Sequence, residues 1–213
     1  MTALWPLFDL RVRTPRVELR GVDDELAHAL AILATGGVHD PATMPFAVAW
    51  TELEPPELER GVLQYHWRNR AELSTDAWTV ALAAIVDGAV VGTIDLRSRQ
   101  FPVLRQFETG SWLGRAHQSQ GLGSEMRLAA LHLGFDGFGA ERATTRAFED
   151  NAASLGVTRR LGYRETGRVH TVSRGAPRIS VDFELHRDDF AARLRRDDIV
   201  VEGAEACREL LGI

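Results

Sequence analysis

Gln118-Ser119-Gln120-Gly121-Leu122-Gly123 separates two stretches of different periodicity. Before it, Gln106 to Leu113 reads as a strand. After it, Leu122, Met126, Ala129 and Leu133 fall on one helical stripe, and Leu128, Leu131 and Phe135 form a second beside it. The spacing predicts a deeply buried helix, stopped at Gly137 and Gly139. Glycines at such a junction let the backbone approach a ligand and adopt angles closed to other residues. The first turn of a helix leaves N–H groups unpaired, and the helix dipole adds positive potential. Together they suit a phosphate. A Walker-type loop would end in Gly-Lys-Ser/Thr, whereas Gly123-Ser124-Glu125 follows here. A dinucleotide fingerprint needs a third glycine where Met126 stands, in a βαβ unit near the start of the chain. Taken alone, Gly121-x-Gly123 leaves two readings open, an anion site or an ordinary strand-to-helix turn.

Working outward, Arg16 to Arg20 alternates like a strand, and Asp23 and Asp24 are placed to cap a helix that Gly36-Gly37 ends. Val38 to Pro56 is rich in proline and aromatics without a clear period, which suggests a lid or binding loop. Glu57 to Leu73 returns to helical spacing. Trp78–Val86 and Val90–Leu96 read as a hairpin, because Asp87-Gly88 supplies the positive φ angles of a tight turn. Arg142–Phe148 is a strand, and Asn151–Leu161 a short helix closed by Gly162. Tyr163–Val172 and Ile179–Leu185 make a last strand pair, followed by a short helix from Asp188 and a mixed tail. The pattern is mixed α/β with a largely antiparallel first half.

The 213 residues, 45% of them hydrophobic, are enough for one sizeable core, and no repeat or linker divides them. The net charge of −5 argues against a duplex nucleic-acid partner and mildly favours cationic substrates such as amines. A single cysteine, Cys207, allows no intrachain disulfide and no cysteine-based zinc site, so no metal is expected. This usage fits a reducing cytoplasm. Met1 to Pro6 lacks the charged region and apolar run of a leader, and no apolar stretch is long enough to span a membrane.

The neighbours of the glycine loop sharpen its reading. Gln118-x-x-Gly121-x-Gly123 is similar to the Gln/Arg-x-x-Gly-x-Gly/Ala signature of the GNAT acyltransferases. Phe107 to Gly114 resembles the strand that precedes it in that family. Asn151-Ala152-Ala153-Ser154 resembles the Asn-x-x-Ser that opens the next helix, and Leu161-Gly162-Tyr163 its end. Arg13 to Arg20 and Leu185 to Phe190 are similar to the opening and ending of the branch related to ribosomal-protein N-terminal acetyltransferases. The match runs from about Thr14 to Phe190. Trp5 to Leu10, and Gly37-Val38-His39-Asp40 through Met44-Pro45-Phe46, look closer still to a mycobacterial GNAT succinyltransferase.

The resemblance implies an α/β (α+β) GNAT fold: a mixed, mostly antiparallel sheet with a splayed strand pair, flanked by helices. With the single core expected from length, this gives one domain over 1–213: a core at about 14–190, an N-terminal arm at 1–13, and a C-terminal tail at 197–213 outside the resemblance. It implies acetyl-CoA or succinyl-CoA as co-substrate and transfer of the acyl group to a small-molecule or peptide amine. Leu113, Gln118, Ser119, Gln120, Gly121, Leu122, Gly123, Ser124 and Asn151 would hold the cofactor, and Arg159 and Arg160 either meet its 3′-phosphate or are exposed helix charges. Glu108 is either the general base or a solvent-exposed strand glutamate. Many of these enzymes carry a tyrosine where this chain has Thr158, so either Ser154, Thr158 or water protonates the thiolate, or the thiolate leaves unassisted. His39 and Asp40 either line the acceptor pocket or form a turn, with Trp50 as pocket wall. A succinyl carboxylate would need a cation such as Arg105, Arg146 or a loop residue. The tail is expected to pack on a second subunit of a homodimer. A catalytically silent acyl-CoA sensor is the alternative of another class.

Overall fold

A short 3-10 turn at Pro6–Asp9 opens the computed structural model, which describes residues 4–213. Met1, Thr2 and Ala3, part of the stretch read above for a leader, lie outside the described residues. Strands β1 (Arg11–Arg13) and β2 (Glu18–Gly21) follow, then helices α1 (Asp24–Thr35) and α2 (Glu57–Ala71). The carboxylate of Asp23 accepts the Leu26 N–H at 2.8 Å and so caps α1. β3 (Ala77–Val86) and β4 (Ala89–Arg99) form the expected hairpin, with φ of +49° at Asp87 and +79° at Gly88. A one-turn helix, α3 (Phe101–Leu104), leads to β5 (Gln106–Leu113). Beyond the glycine loop, α4 (Leu122–His132) runs into a π-helical turn at Leu133–Gly137. Then come β6 (Arg142–Phe148), α5 (Ala152–Arg160), the hairpin β7 (Arg164–Ser173) and β8 (Ala176–His186), α6 (Arg187–Arg193), β9 (Val200–Glu202) and α7 (Ala204–Leu211).

The nine strands make one sheet in the order β7-β8-β6-β5-β4-β3-β2-β1-β9. Every neighbouring pair is antiparallel except β5 and β6. That parallel pair shares only Gln106–Arg142, Phe107–Ala143 and Glu108–Thr144, after which the strands part. The expected splay therefore begins just past Glu108. Both predicted stripes of α4 are buried, from Leu122 and Met126 through Leu133 and Phe135. Each such large side chain contributes roughly 1.5–3 kcal/mol when fully removed from water. α4 lies against one face of the sheet, in a cluster with Ile94, Leu96, Phe107 and Phe183. α1 and α2 cover part of the other face over Ala83 and Ile85.

The tail is structured: Val200, Val201 and Glu202 pair with Arg13, Val12 and Arg11 and lengthen this chain's own sheet. α7 then buries Cys207 and Leu211 completely. Burial pushes the Cys207 thiol up to about 12, which leaves it protonated and inert.

His66 on α2 is 3% exposed and its Nδ1 has no partner. Burial, aided by the Arg70 charge, depresses it to about 4. The unfolded chain thus takes up this proton first as pH falls. Stability is lost between about 6.5 and 4, by about 3 kcal/mol from this group alone. Denaturant titrations of wild type and His66→Gln across that range should therefore show a shallower acid limb for the variant.

Candidate active site

The glycine loop owes its shape to two left-handed residues, Ser119 at φ +62° and Gly121 at φ +79°. Gly121 is the N-cap of α4, and with no side-chain cap the helix start is held by backbone alone. Ser124 and Glu125 return their N–H groups to Gly121 O, each at 3.2 Å. Among the described residues, the N–H groups of Ser119, Gln120, Gly121, Leu122 and Gly123 find no protein acceptor. A row of donors at a helix N-terminus fits the pyrophosphate of a CoA-type ligand. A Cβ at Gly123 would meet only Leu113 Cδ1, at 3.6 Å.

Two arginines brace this loop. Arg16 reaches Glu125 through Nε at 2.7 Å and Gln120 O through Nη1 at 3.2 Å, and the Thr14 hydroxyl donates to Glu125 at 2.6 Å. These partners hold the Glu125 carboxyl below its usual range against the opposing effect of burial. From α5, Arg160 donates to Ser124 Oγ at 3.2 Å, which brings a second cation to the loop. The Gln118 amide turns inward and donates to Val38 O at 2.7 Å and Leu113 O at 2.9 Å. Its side chain therefore ties the end of β5 to the long loop, and its backbone is what remains for a ligand. Asn151 caps α5, accepting the Ser154 N–H at 3.1 Å, and its Nδ2 has no protein partner among the described residues.

Cross-strand partners share a face of the sheet. Arg97–Glu108, Asp95–Gly110 and Thr93–Trp112 are such partners, so these side chains lie on the α1–α2 face. Glu108 sits there at the start of the splay. Its carboxylate is 3.6 Å from Arg97, and both side chains are partly exposed. They line an open cleft of about 510 Å³ with Asn69, Glu72, Arg99 and Thr144. Gly110 leaves room for the Arg97 guanidinium, which a Cβ there would meet at 2.2 Å and push aside. Behind Arg97, the Tyr65 hydroxyl donates to buried Asp95 at 2.5 Å. Burial raises the Asp95 carboxyl, opposed by Tyr65 and Arg97.

The predicted acceptor residues fall elsewhere. His39, Phe46, Trp50 and Trp112 form an aromatic chain with centroids 5.3–5.7 Å apart. Trp112 lies four residues beyond Glu108, roughly 13 Å along the strand. His39 donates from Nδ1 to Asp40 O at 2.8 Å and accepts from Thr51 Oγ1 at 2.7 Å. The Asp40 carboxylate accepts from Ala42 N at 3.0 Å, so it serves a turn and does not pair with the imidazole. The loop is fastened across the splay to the β7–β8 hairpin by Ser173 Oγ donating to Phe46 O at 3.2 Å and by an Arg174–Glu52 ion pair. Arg105 is turned toward Gly139 O and Glu141, at the end of β5 away from the glycine loop. Arg146 is on the cleft side of β6, 3.4 Å from Asp182.

On the α4 face, Thr158 is fully buried with an unpartnered hydroxyl, and Ser154 is partly buried. Beside Thr158 lie residues the sequence reading passed over. Arg127 of α4 is 4% exposed and reaches across the splay, donating to Thr145 Oγ1 of β6 at 3.2 Å and Ser111 Oγ of β5 at 3.4 Å. Thr145 in turn donates to Thr109 O at 3.1 Å. The Tyr163 phenol sits against Thr109 and Arg127 but completes a hydrogen bond with neither. A lone arginine inside the apolar run Met126 to Leu131 was the available signal, as was Asp95 between Ile94 and Leu96.

A model of the acetyltransferase (GNAT) domain matches residues 16–164, most of the chain. The chain belongs to the GNAT family. Solved structures agree on the fold. Mycobacterium smegmatis RimJ, in complex with CoA-disulfide, superposes with a TM-score of 0.72 at 20% identity, over 96% of this chain and 95% of that one. A RimL ribosomal L7/L12 alpha-N-protein acetyltransferase with coenzyme A gives 0.65 at 17%, over 83% and 97%. A GCN5-related N-acetyltransferase from Brucella melitensis gives 0.66 at 19%, over 85% and 80%. This GNAT chain has no helix among the described residues that is long and apolar enough to cross a membrane.

Tyr65→Phe should leave buried Asp95 without its hydroxyl donor. The expected loss is about 1–3 kcal/mol in urea unfolding, with the far-UV spectrum unchanged.

Proposed function

We propose that this GNAT protein moves an acyl group, acetyl or succinyl, from CoA to an amine by direct attack on the thioester. The observation that carries the reading is the row of N–H groups from Ser119 to Gly123 without protein acceptors, set at the same end of β5 as the opening of the splay. When bound, CoA supplies the activated thioester. The backbone from Gln118 to Ser124 cradles the pyrophosphate, Leu113 borders the pantetheine arm, and the spare amide of Asn151 serves the same arm from the α5 side. The splay gives that arm a slot between two strands, and at its start Glu108 faces the acceptor cleft.

Glu108 then takes the proton that the attacking amine must lose, directly or through one water. The cleft balances Glu72 and Glu108 against Arg97 and Arg99, so its charge alone selects no acceptor. The RimL neighbour, an alpha-N-protein acetyltransferase, favours an amine on a peptide N-terminus, with a small-molecule amine as the other class. The aromatic chain from His39 to Trp112 walls the far end of the acceptor path. On α5, Ser154 and Thr158 are hydroxyls too weakly acidic to stand in for a tyrosine, so the leaving sulfur takes its proton from one of them or water, or departs unassisted.

CoA should raise the melting temperature of the wild-type protein, by an amount equivalent to about 2.7 kcal/mol at a hundredfold excess over Kd, while ATP and NAD should not. Gly123→Val should abolish that shift, since its methyl groups occupy the approach beside Leu113. With acetyl-CoA or succinyl-CoA and a panel of amines, thiol release should exceed background for at least one acceptor. CoA binding with no release across the panel would point to the silent sensor. Against the best acceptor, Glu108→Gln should lower kcat by about 100-fold and leave the KM for acyl-CoA within about threefold.

A further inference from the structure

Arg127 is a buried cation without a counter-ion. Among the described residues, Tyr163 is the one titratable side chain that acts on it, and no carboxylate approaches it. Asp95, Arg97 and Glu108 all face the opposite side of the sheet. Its Nε has no partner, and the hydroxyls of Thr109, Thr158 and Tyr163 around the same gap are also buried without one. A guanidinium taken out of water this way is stabilised only when negative charge arrives beside it.

We propose that Arg127 holds the negative charge that collects on sulfur as the thioester breaks, so that CoA leaves as a thiolate without waiting for a proton donor. The proposal rests on the CoA reading above and names the group that handles the leaving side, which Thr158 is ill suited to do as an acid. Position favours sulfur. The last shared rung of the sheet is Glu108–Thr144, and Arg127 spans from Thr145, one residue beyond it, to Ser111, three residues beyond. That stretch lies on the side toward the glycine loop. From the start of the splay, the acyl carbon comes first and the sulfur next along it. Charge that appears only as the bond breaks gains most from donors already fixed in a dry site.

The balance closes without another reactant. The amine nitrogen bonds to the carbonyl carbon, and the C–S bond breaks with its electron pair left on sulfur. The amine proton goes to Glu108 or water. Arg127 stays protonated throughout, and the thiolate takes a proton from solvent once CoA has left.

The test reads the thiol and not turnover. Full-length wild type is saturated with CoA and titrated with base while the ultraviolet absorbance of the thiolate is followed. The bound thiol should ionise about one pH unit below free CoA, a tenfold effect. Arg127→Met should abolish that shift and Arg127→Lys should keep part of it, while calorimetry with desulfo-CoA gives affinities within about threefold for all three proteins. If Arg127→Met fails to fold, the Lys variant and Thr145→Val carry the comparison, each expected to shrink the shift. Equal ionisation in wild type and variants, with CoA bound to each, would overturn the proposal. So would a wild-type preference for succinyl-CoA over acetyl-CoA that vanishes in the variants while thiol ionisation stays put, since Arg127 would then serve an acyl carboxylate. Wild type that binds desulfo-CoA but shows no shift overturns this proposal alone. Wild type that binds neither CoA nor desulfo-CoA overturns the parent reading with it.

Discussion

Three rungs of parallel ladder between β5 and β6 hold the two halves of the sheet together, and their early end shapes the rest of the molecule. Each half is otherwise antiparallel, with β5 secured by β4 and β6 by β8. Two strands can therefore part without unravelling either side. A parallel pair also needs a crossover, and here it is the glycine loop, α4 and the π-helical turn. The loop leaves from the carboxyl end of β5, so the free N–H groups and the open end of the splay fall on the same edge. This is where open sheets with parallel strands offer room for ligands.

The gap has to be closed on both faces by something other than sheet. On one face α4 and α5 supply buried side chains, including Arg127 with its hydroxyl neighbours. On the other, the loop from Val38 to Pro56 crosses from the end of α1 to the β7–β8 hairpin and is fastened there through Phe46 and Glu52. Gln118 anchors the near end of that loop to β5. The strap, the glycine loop and the end of β5 thus share one set of hydrogen bonds, which couples the long loop to the glycine loop.

Much of this could be read from local chemistry. Asp87-Gly88 set the hairpin, Asp23 and Asn151 capped their helices, and the two stripes of α4 marked it as buried, because each signal needs only neighbours in the chain. The glycine loop's shape was legible for the same reason: Gly121 reports its own backbone, with φ +79°. β9 was not, since Val200-Val201-Glu202 has no period of its own and becomes a strand only against β1. The side chains around the splay were harder. Asp95, Arg97 and Tyr65 acquire meaning only once the register of β4 and β5 assigns them a face. Arg127 and Tyr163 likewise needed the gap to be located. The side chains of Gln118, His39 and Asp40 have partners that only the folded loop reveals: Gln118 bonds Val38 O and Leu113 O, His39 bonds Thr51, and Asp40 closes a turn.

The pairing of β1 with β9 has a consequence for how the chain assembles. Arg13 and Glu202 meet although they lie 189 positions apart in the chain. Until the last strand arrives, β1 is a bare edge with unpaired N–H and C=O groups, able to pair with another chain. Sheet completion is thus the most non-local event in the fold, and it comes after the segments on both sides of the splay are already available to form. A nascent or partly unfolded molecule is most prone to association at β1, far from the splay, and the short terminal strand acts as its plug.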